Sequence, residues 1–173
     1  MFIKLSGCVF IFFSSFLMGL SFKQYTKRRL LSLENMLHCM QLFETEIRFS
    51  VNDIISSTEK ILEFAENDNA VIFNSFLNNA HSRDGRALSE VWKLTVEKAA
   101  DCVCYNKEDL KVLMEFGAAL GTGDVETQIK NINCLCGALR ENIDFIKNKV
   151  IKNDDVYSKM GIYVGMLLII FLI

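Results

Sequence analysis

The chain has 173 residues, 51% of them hydrophobic, with a net charge of −2 and no proline. That length allows one compact domain together with membrane segments. Apart from Lys4, every charged side chain lies between Lys23 and Lys159, and the balance there is mildly acidic, which argues against the clustered basic face of a nucleic-acid binder.

Runs of β-branched residues in strict alternation are missing, and glycine is sparse. The pattern predicts an all-α chain: a six-helix cytoplasmic bundle flanked by an N-terminal and a C-terminal transmembrane helix. The expected domains are an anchor over 1–22, the bundle over 23–156 and a second membrane helix over 157–173.

Leu5 to Phe22 is an uncharged apolar run of 18 residues, long enough with its flanks to span a bilayer. A cleaved signal peptide is the alternative, with Gly19-Leu-Ser21 as the cleavage site. The run is longer than a usual signal core, and its main basic cluster follows it. That cluster, Lys23, Lys27, Arg28 and Arg29, suits the cytoplasmic membrane interface and puts the amino terminus outside. Ser15 and Gly19 are small residues one turn apart, which lets another membrane helix approach closely.

Beyond the run, Leu30, Leu33, Leu37, Met40, Phe43 and Ile47 recur at helical spacing to about Phe49, one apolar stripe of an amphipathic arm. Ser50-Val-Asn-Asp53 reads as a capping-box variant that opens a second helix, which runs to about Glu66. Asn67-Asp68-Asn69 breaks it and caps a third helix, with Ile72, Phe73, Phe76, Leu77 and Ala80 inward. Ser82 to Arg86 is the clearest loop. Leu88, Val91, Trp92, Val96 and Ala99 mark a fourth helix. Asn106-Lys-Glu-Asp109 caps a fifth, striped by Leu110, Leu113, Gly117 and Leu120. Gly121-Thr-Gly-Asp124 supplies a left-handed glycine stop and then the cap of the sixth.

The sixth helix carries Ile129, Ile132, Cys136, Leu139, Ile143, Ile146 and Val150 on one stripe. It points toward an uncharged end, Gly161 to Ile173, with Asn153-Asp-Asp155 as a weak point at the membrane edge. Met160 to Ile173 is 14 residues, short of the roughly 20 that span a bilayer. Val156 and Tyr157 extend it if Lys159 snorkels. Gly161 and Gly165 form a G-x-x-x-G helix-packing motif.

No catalytic, cofactor-binding or metal-binding set emerges. A phosphate cradle of the G-x-x-x-x-G-K-[ST] type is absent. His38 and Cys39 are sequence neighbours, so on a helix they diverge and form no nucleophilic pair. The six cysteines, Cys8, Cys39, Cys102, Cys104, Cys134 and Cys136, are expected as free thiols within helical patterns, in a reducing compartment. A zinc site from the two Cys-x-Cys pairs would suffer from helical geometry.

In its order of features the chain resembles the stage III sporulation protein AB family of endospore-forming bacteria. The resemblance covers nearly the whole length. It rests on the apolar start and basic arm, on Leu42-Phe-Glu-Thr-Glu-Ile47, and on Phe116-Gly-Ala-Ala-Leu-Gly121 followed by Asp124 and Gln128. Lys159-Met-Gly161 and Gly165 complete it. Where the family usually has Arg-Pro in the basic arm, this chain reads Arg28-Arg29-Leu30.

The resemblance implies a bundle similar to the F (inner-membrane platform) proteins of type II secretion systems. It implies a non-enzymatic role in a channel between mother cell and forespore, in the mother-cell membrane around the forespore. The implied partners are membrane lipid, the sporulation ATPase (stage III sporulation protein AA) and the other stage III channel subunits. A homo-oligomer is compatible with it, and no nucleic acid is implied. On that reading Glu44, Glu46, Asp124 and Gln128 are the residues expected at the ATPase dock. From another class, a two-helix membrane sensor with a helical ligand-binding domain is the alternative. It usually places the bundle outside, against the basic cluster after Phe22.

Overall fold

The computed structural model describes residues 2–49, 53–82, 85–117, 120, 124–151 and 163. Its α-helices are α1 (Phe2–Phe49), α2 (Ile54–Leu62), α3 (Asn67–His81), α4 (Leu88–Ala99), α5 (Lys107–Gly117) and α6 (Val125–Phe145), with a π-helical turn over Ile146–Ile151. Among the described residues there is no strand, so the all-helical reading holds. None of their helices is long and apolar enough to cross a membrane. The side chains of most of Leu5 to Phe22, and nearly all of 157–173, lie outside the described residues, and the two segments expected in the membrane fall there.

The chain divides into two compact units, one of Arg29–Ile143 and one of 1–28 with 144–173. In the smaller unit, Lys23, Lys27 and Arg28 are exposed on α1, and the Ser21 hydroxyl donates to the Leu17 carbonyl one turn earlier.

The larger unit is a bundle built around one indole. Trp92 of α4 sits with its ring centroid 5.3 Å from Phe76, 5.9 Å from Phe73 and 5.5 Å from Phe116. The contacts with Phe76 and Phe116 are edge-on, and such contacts add to the burial of the rings themselves. The indole Nε1 donates to the Leu113 carbonyl at 2.7 Å, which satisfies its polar handle inside the core. Gly117 lies against the ring so closely that a Cβ there would stand 2.0 Å from Trp92 Cδ1. This gives a physical reason for the Phe116-Gly117 pair in the family-like stretch: Phe116 packs nearly perpendicular to the indole and Gly117 leaves room for its Cδ1 edge. Met40 and Phe43 of α1 and Thr58 of α2 line a small space beside this cluster, and Ile61 of α2, Val96 of α4 and Leu139 of α6 are buried as well.

The predicted inward faces of α3 and α4 match the buried sets, Ile72, Phe73, Phe76 and Leu77 on one and Val91, Trp92, Val96 and Ala99 on the other. Ala80 and Leu88 are half-buried at the helix ends. On α1 the stripe is wider than predicted. Met36 and Cys39 are buried, while Leu37 and Ile47 are only half-buried. The reason is geometric: α3, α5 and α6 all reach α1 through side-chain contacts, so a broader arc than one heptad seam is covered.

The second helix is shorter than expected and starts differently. Asp53 itself is the N-cap, its carboxylate accepting from the Ser56 N–H at 2.9 Å, and Ser50 lies outside the described residues. The helix stops at Leu62 rather than near Glu66, because Asn35 of α1 captures the chain. Its amide donates to the Phe64 carbonyl and accepts from the Glu66 N–H, both at 3.0 Å. Backbone groups satisfied by a side chain no longer need the helical ladder. Asn67 then takes φ 47, a left-handed conformation that asparagine tolerates better than most residues.

Later boundaries follow their predicted chemistry. Gly85, at φ 71, lies in the expected loop after α3. Asn106 and Asp109 cap α5 reciprocally, each side chain accepting from the other's N–H at 2.7 and 3.0 Å, the capping-box arrangement. The expected glycine stop over Gly121 to Gly123 lies outside the described residues. Asp124 caps α6 by accepting from the Thr127 N–H at 3.1 Å. The predicted stripe of α6 includes the buried Ile132, Cys136, Leu139 and Ile143, with Leu135 joining it. The Asn153 to Asp155 weak point lies outside the described residues, but α geometry already gives way to π at Ile146.

Candidate functional site

The residues expected at a partner dock come from the end of α1 and the start of α6. Here α1 and α6 run antiparallel. Ile47 and Gln128 line one cavity of about 10 Å³ together with Phe43 and Leu120, and Asn133 donates to the Glu44 carboxylate at 3.4 Å. Asp124 is one turn before Gln128, whose N–H bonds to the Asp124 carbonyl at 3.1 Å. The seam therefore gathers Glu44 and Gln128, with Asp124 at its mouth.

Glu46 turns the other way. It pairs with Lys60 of α2 at 2.7 Å, while Glu44 pairs with Arg48 on its own helix at 2.6 Å. The hydrogen bond from Arg48 is the main reason the Glu44 carboxyl is held below its ordinary pKa. The same is true of Asp124, held down by its hydrogen bonds from Thr127, the side chain first and then the backbone. Glu44 and Asp124 thus present charge at neutral pH. Beside them stand large apolar side chains with no cover, Phe49 at 79% exposed and Val125 at 51%. A face that mixes fixed negative charge with exposed apolar surface suits association more than catalysis.

The remaining predicted positions are scattered. Ser15 and Gly19 lie in α1, but their surroundings fall outside the described residues, as do Gly161 and Gly165 entirely. Arg29, expected with Lys23, Lys27 and Arg28 at a membrane interface, is occupied inside the bundle by Asp109. The cysteine expectation needs a correction. Cys102 and Cys104 lie in the connection after α4, not within a helix, because Asp68 holds the Cys104 N–H at 2.9 Å and fixes a turn there. Among the described residues Cys39 and Cys136 are buried thiols, and Cys102 and Cys134 are exposed ones. A groove between α5 and α6, lined by Val112, Phe116, Cys134 and Leu135, has about 120 Å³. Small-molecule sites usually have roughly 300–1,000 Å³.

A set of buried polar side chains was not foreseen. Asp68 accepts from the Ser32 hydroxyl at 3.1 Å. Asn69 donates to the Ser32 carbonyl at 2.9 Å and to Asn35 Oδ1 at 2.8 Å. The Tyr105 hydroxyl lies within hydrogen-bond reach of two acceptors, the Ser32 carbonyl at 3.0 Å and Asn69 Oδ1, which share its one proton. Next to it, Asp109 binds Arg29 and Asn142. Burial is the first cause that pushes the Tyr105 phenol well above its ordinary pKa, so it stays a donor. Of these residues, Asp68, Asn69 and Asp109 read from sequence as a helix break or cap and Arg29 as part of a basic cluster, and the others carried no reading. The one available signal was the Asn106-x-x-Asp109 spacing, which marks a cap but not the two further helices Asp109 ties in.

Comparison with known proteins gives concordant matches. A family model described as "Stage III sporulation protein AB" matches residues 4–173. A curated relative, "Stage III sporulation protein AB" of Bacillus subtilis (strain 168), is 23% identical over 170 residues, covering 98% of this chain and 99% of its own length. A solved structure, "Stage III sporulation protein AB (SpoIIIAB)", superposes with a TM-score of 0.65 at 19% identity, covering 70% of this chain and 95% of that one. At that identity the structural likeness speaks to the fold.

Proposed function

The chain belongs to the stage III sporulation protein AB family, and from that premise we propose that it is a non-enzymatic membrane platform of a sporulation channel. Its place in sporulation follows from the family. The platform role, the mother-cell membrane and the partners are our reading.

In this reading Leu5 to Phe22 and 157–173 are membrane helices and the bundle lies in the cytoplasm. The basic residues Lys23, Lys27 and Arg28, exposed on α1, sit at the lipid headgroups by the positive-inside rule. No phosphate cradle occurs in the sequence, so energy comes from a partner, the sporulation ATPase. The observation that carries the dock is the α1–α6 seam, which gathers Glu44 and Gln128 with Asp124 at its mouth. The other channel subunits then assemble around the membrane segments, where Ser15, Gly19, Gly161 and Gly165 allow close helix packing.

The test keeps the fold intact. Asp124→Asn preserves the helix cap while removing its charge, and Glu44→Gln and Glu46→Gln remove the charge of the ion-paired acids with little change in side-chain size. The full chain carrying all three is used to capture the ATPase. Recovery should fall at least tenfold against the parent chain, with the far-ultraviolet dichroism unchanged. Undiminished recovery would show that the dock lies elsewhere.

A further inference from the structure

Asp109 is the point where three helices meet through one carboxylate. Its side chain is 0% exposed, and its Arg29 partner is 16% exposed. Arg29 of α1 donates twice, Nε to Oδ2 at 2.7 Å and Nη2 to Oδ1 at 3.1 Å. Asn142 of α6 donates to Oδ1 at 2.8 Å. The Asn106 N–H at the start of α5 donates to Oδ2 at 3.0 Å. Both oxygens are therefore filled from three directions.

The position of the partners along the chain is the informative part. Arg29 is the first residue of the 29–143 unit, and Asn142 is one short of its last. From both positions the chain passes into the other unit. On α6, α geometry ends at Phe145, three residues after Asn142, and the π turn begins. A buried charge that keeps both outgoing helices cannot be left by either one cheaply. It would lose its countercharge or a hydrogen bond where water does not replace it.

We propose that Asp109 is a clasp that fixes where α1 and α6 leave the bundle, so that these two distant segments loosen together when it is broken while the aromatic core does not. The clasp stands independently of the platform reading. It is a conformational device, set apart from the Trp92 cluster that supplies the packing.

Hydrogen exchange followed by mass spectrometry on the full chain tests it. Asp109→Asn should speed exchange more than tenfold in 29–33 of α1 and in 139–145 of α6, with α4 unchanged. Asn142→Ala leaves the ion pair in place and should loosen 139–145 alone. Unchanged exchange in both segments would overturn the clasp. So would an equal acceleration in α4, because Asp109 would then be an ordinary contributor to global stability. If Asp109→Asn does not fold, Arg29→Gln decides, because it breaks the ion pair from the α1 side: faster exchange in both 29–33 and 139–145 with α4 unchanged supports the clasp, and acceleration confined to 29–33, or equal in α4, overturns it.

Discussion

At the scale of single residues, the tightest constraint is the Cδ1 edge of Trp92. The ring cannot retreat, because its Nε1 is tied to the Leu113 carbonyl and three phenylalanine rings surround it. Gly117→Ala places a methyl 2.0 Å from Cδ1. Overpacking of a filled core costs about 1–3 kcal/mol, and urea denaturation should show that loss with an unchanged m-value. A wild-type midpoint would mean the helix shifts freely at this point. The sequence made Gly117 readable as a small core contact on α5, but not the ring that demands it. Helical periodicity says which residues of one helix share a side. It does not say which residue of another helix arrives there. For the same reason Asp68, Asn69 and Asp109 escaped notice as core residues. Their types belong to caps and turns, and two of the three do sit in the first turn of α3. Only the arrival of Ser32, Tyr105 and Arg29 from elsewhere makes them interior.

At the scale of elements, capping explains most of what was legible. Asp53, Asn106 and Asp124 each accept an N–H at the start of a helix, and these local signals need no tertiary partner. Asn106→Ala removes one of the two reciprocal bonds that start α5 while leaving Asp109 in place. Loss of such a cap costs about 1 kcal/mol. The expected outcome is a lower melting temperature together with faster amide exchange in the first turn of α5; protection equal to the parent chain would show that Asp109 alone starts the helix. The end of α2 shows the limit of local reading. Its apolar residues continue the helical period toward Ala65, yet Asn35 from α1 takes the backbone groups at Phe64 and Glu66. A side chain some thirty positions earlier in sequence decides where that helix stops, so no window around residue 62 contains the cause. The breadth of the buried face on α1 has the same origin. Three neighbouring helices share it, where a sequence stripe suggests one seam.

At the scale of the whole molecule, two buried acids make stability depend on alkaline pH. Burial is the largest cause that raises the Cys39 thiol from its ordinary 9.0 to about 11, opposed by a backbone hydrogen bond and assisted by the nearby Glu66 charge. Burial likewise pushes Tyr105 well above its ordinary 10.0, with the charges of Asp68 and Asp109 adding to it. Both groups remain protonated in the folded chain after their unfolded counterparts begin to ionise. The unfolded state then binds fewer protons than the folded one, so stability falls as pH rises. The contribution of Cys39 is complete below pH 9, declines from there and is lost as pH passes about 11. Tyr105 begins to act near its ordinary 10.0 and continues beyond that window. Urea midpoints measured from pH 7 to 11 should therefore be level to about pH 9 and then fall, and Cys39→Ala should flatten the first part of the decline. A midpoint level through pH 11 would place both side chains in contact with water. The two lie where α1 and α3 meet the connection before α5, joined through Asn35 and Asn69, so ionising either one acts on one of the junctions that hold α1 to the bundle.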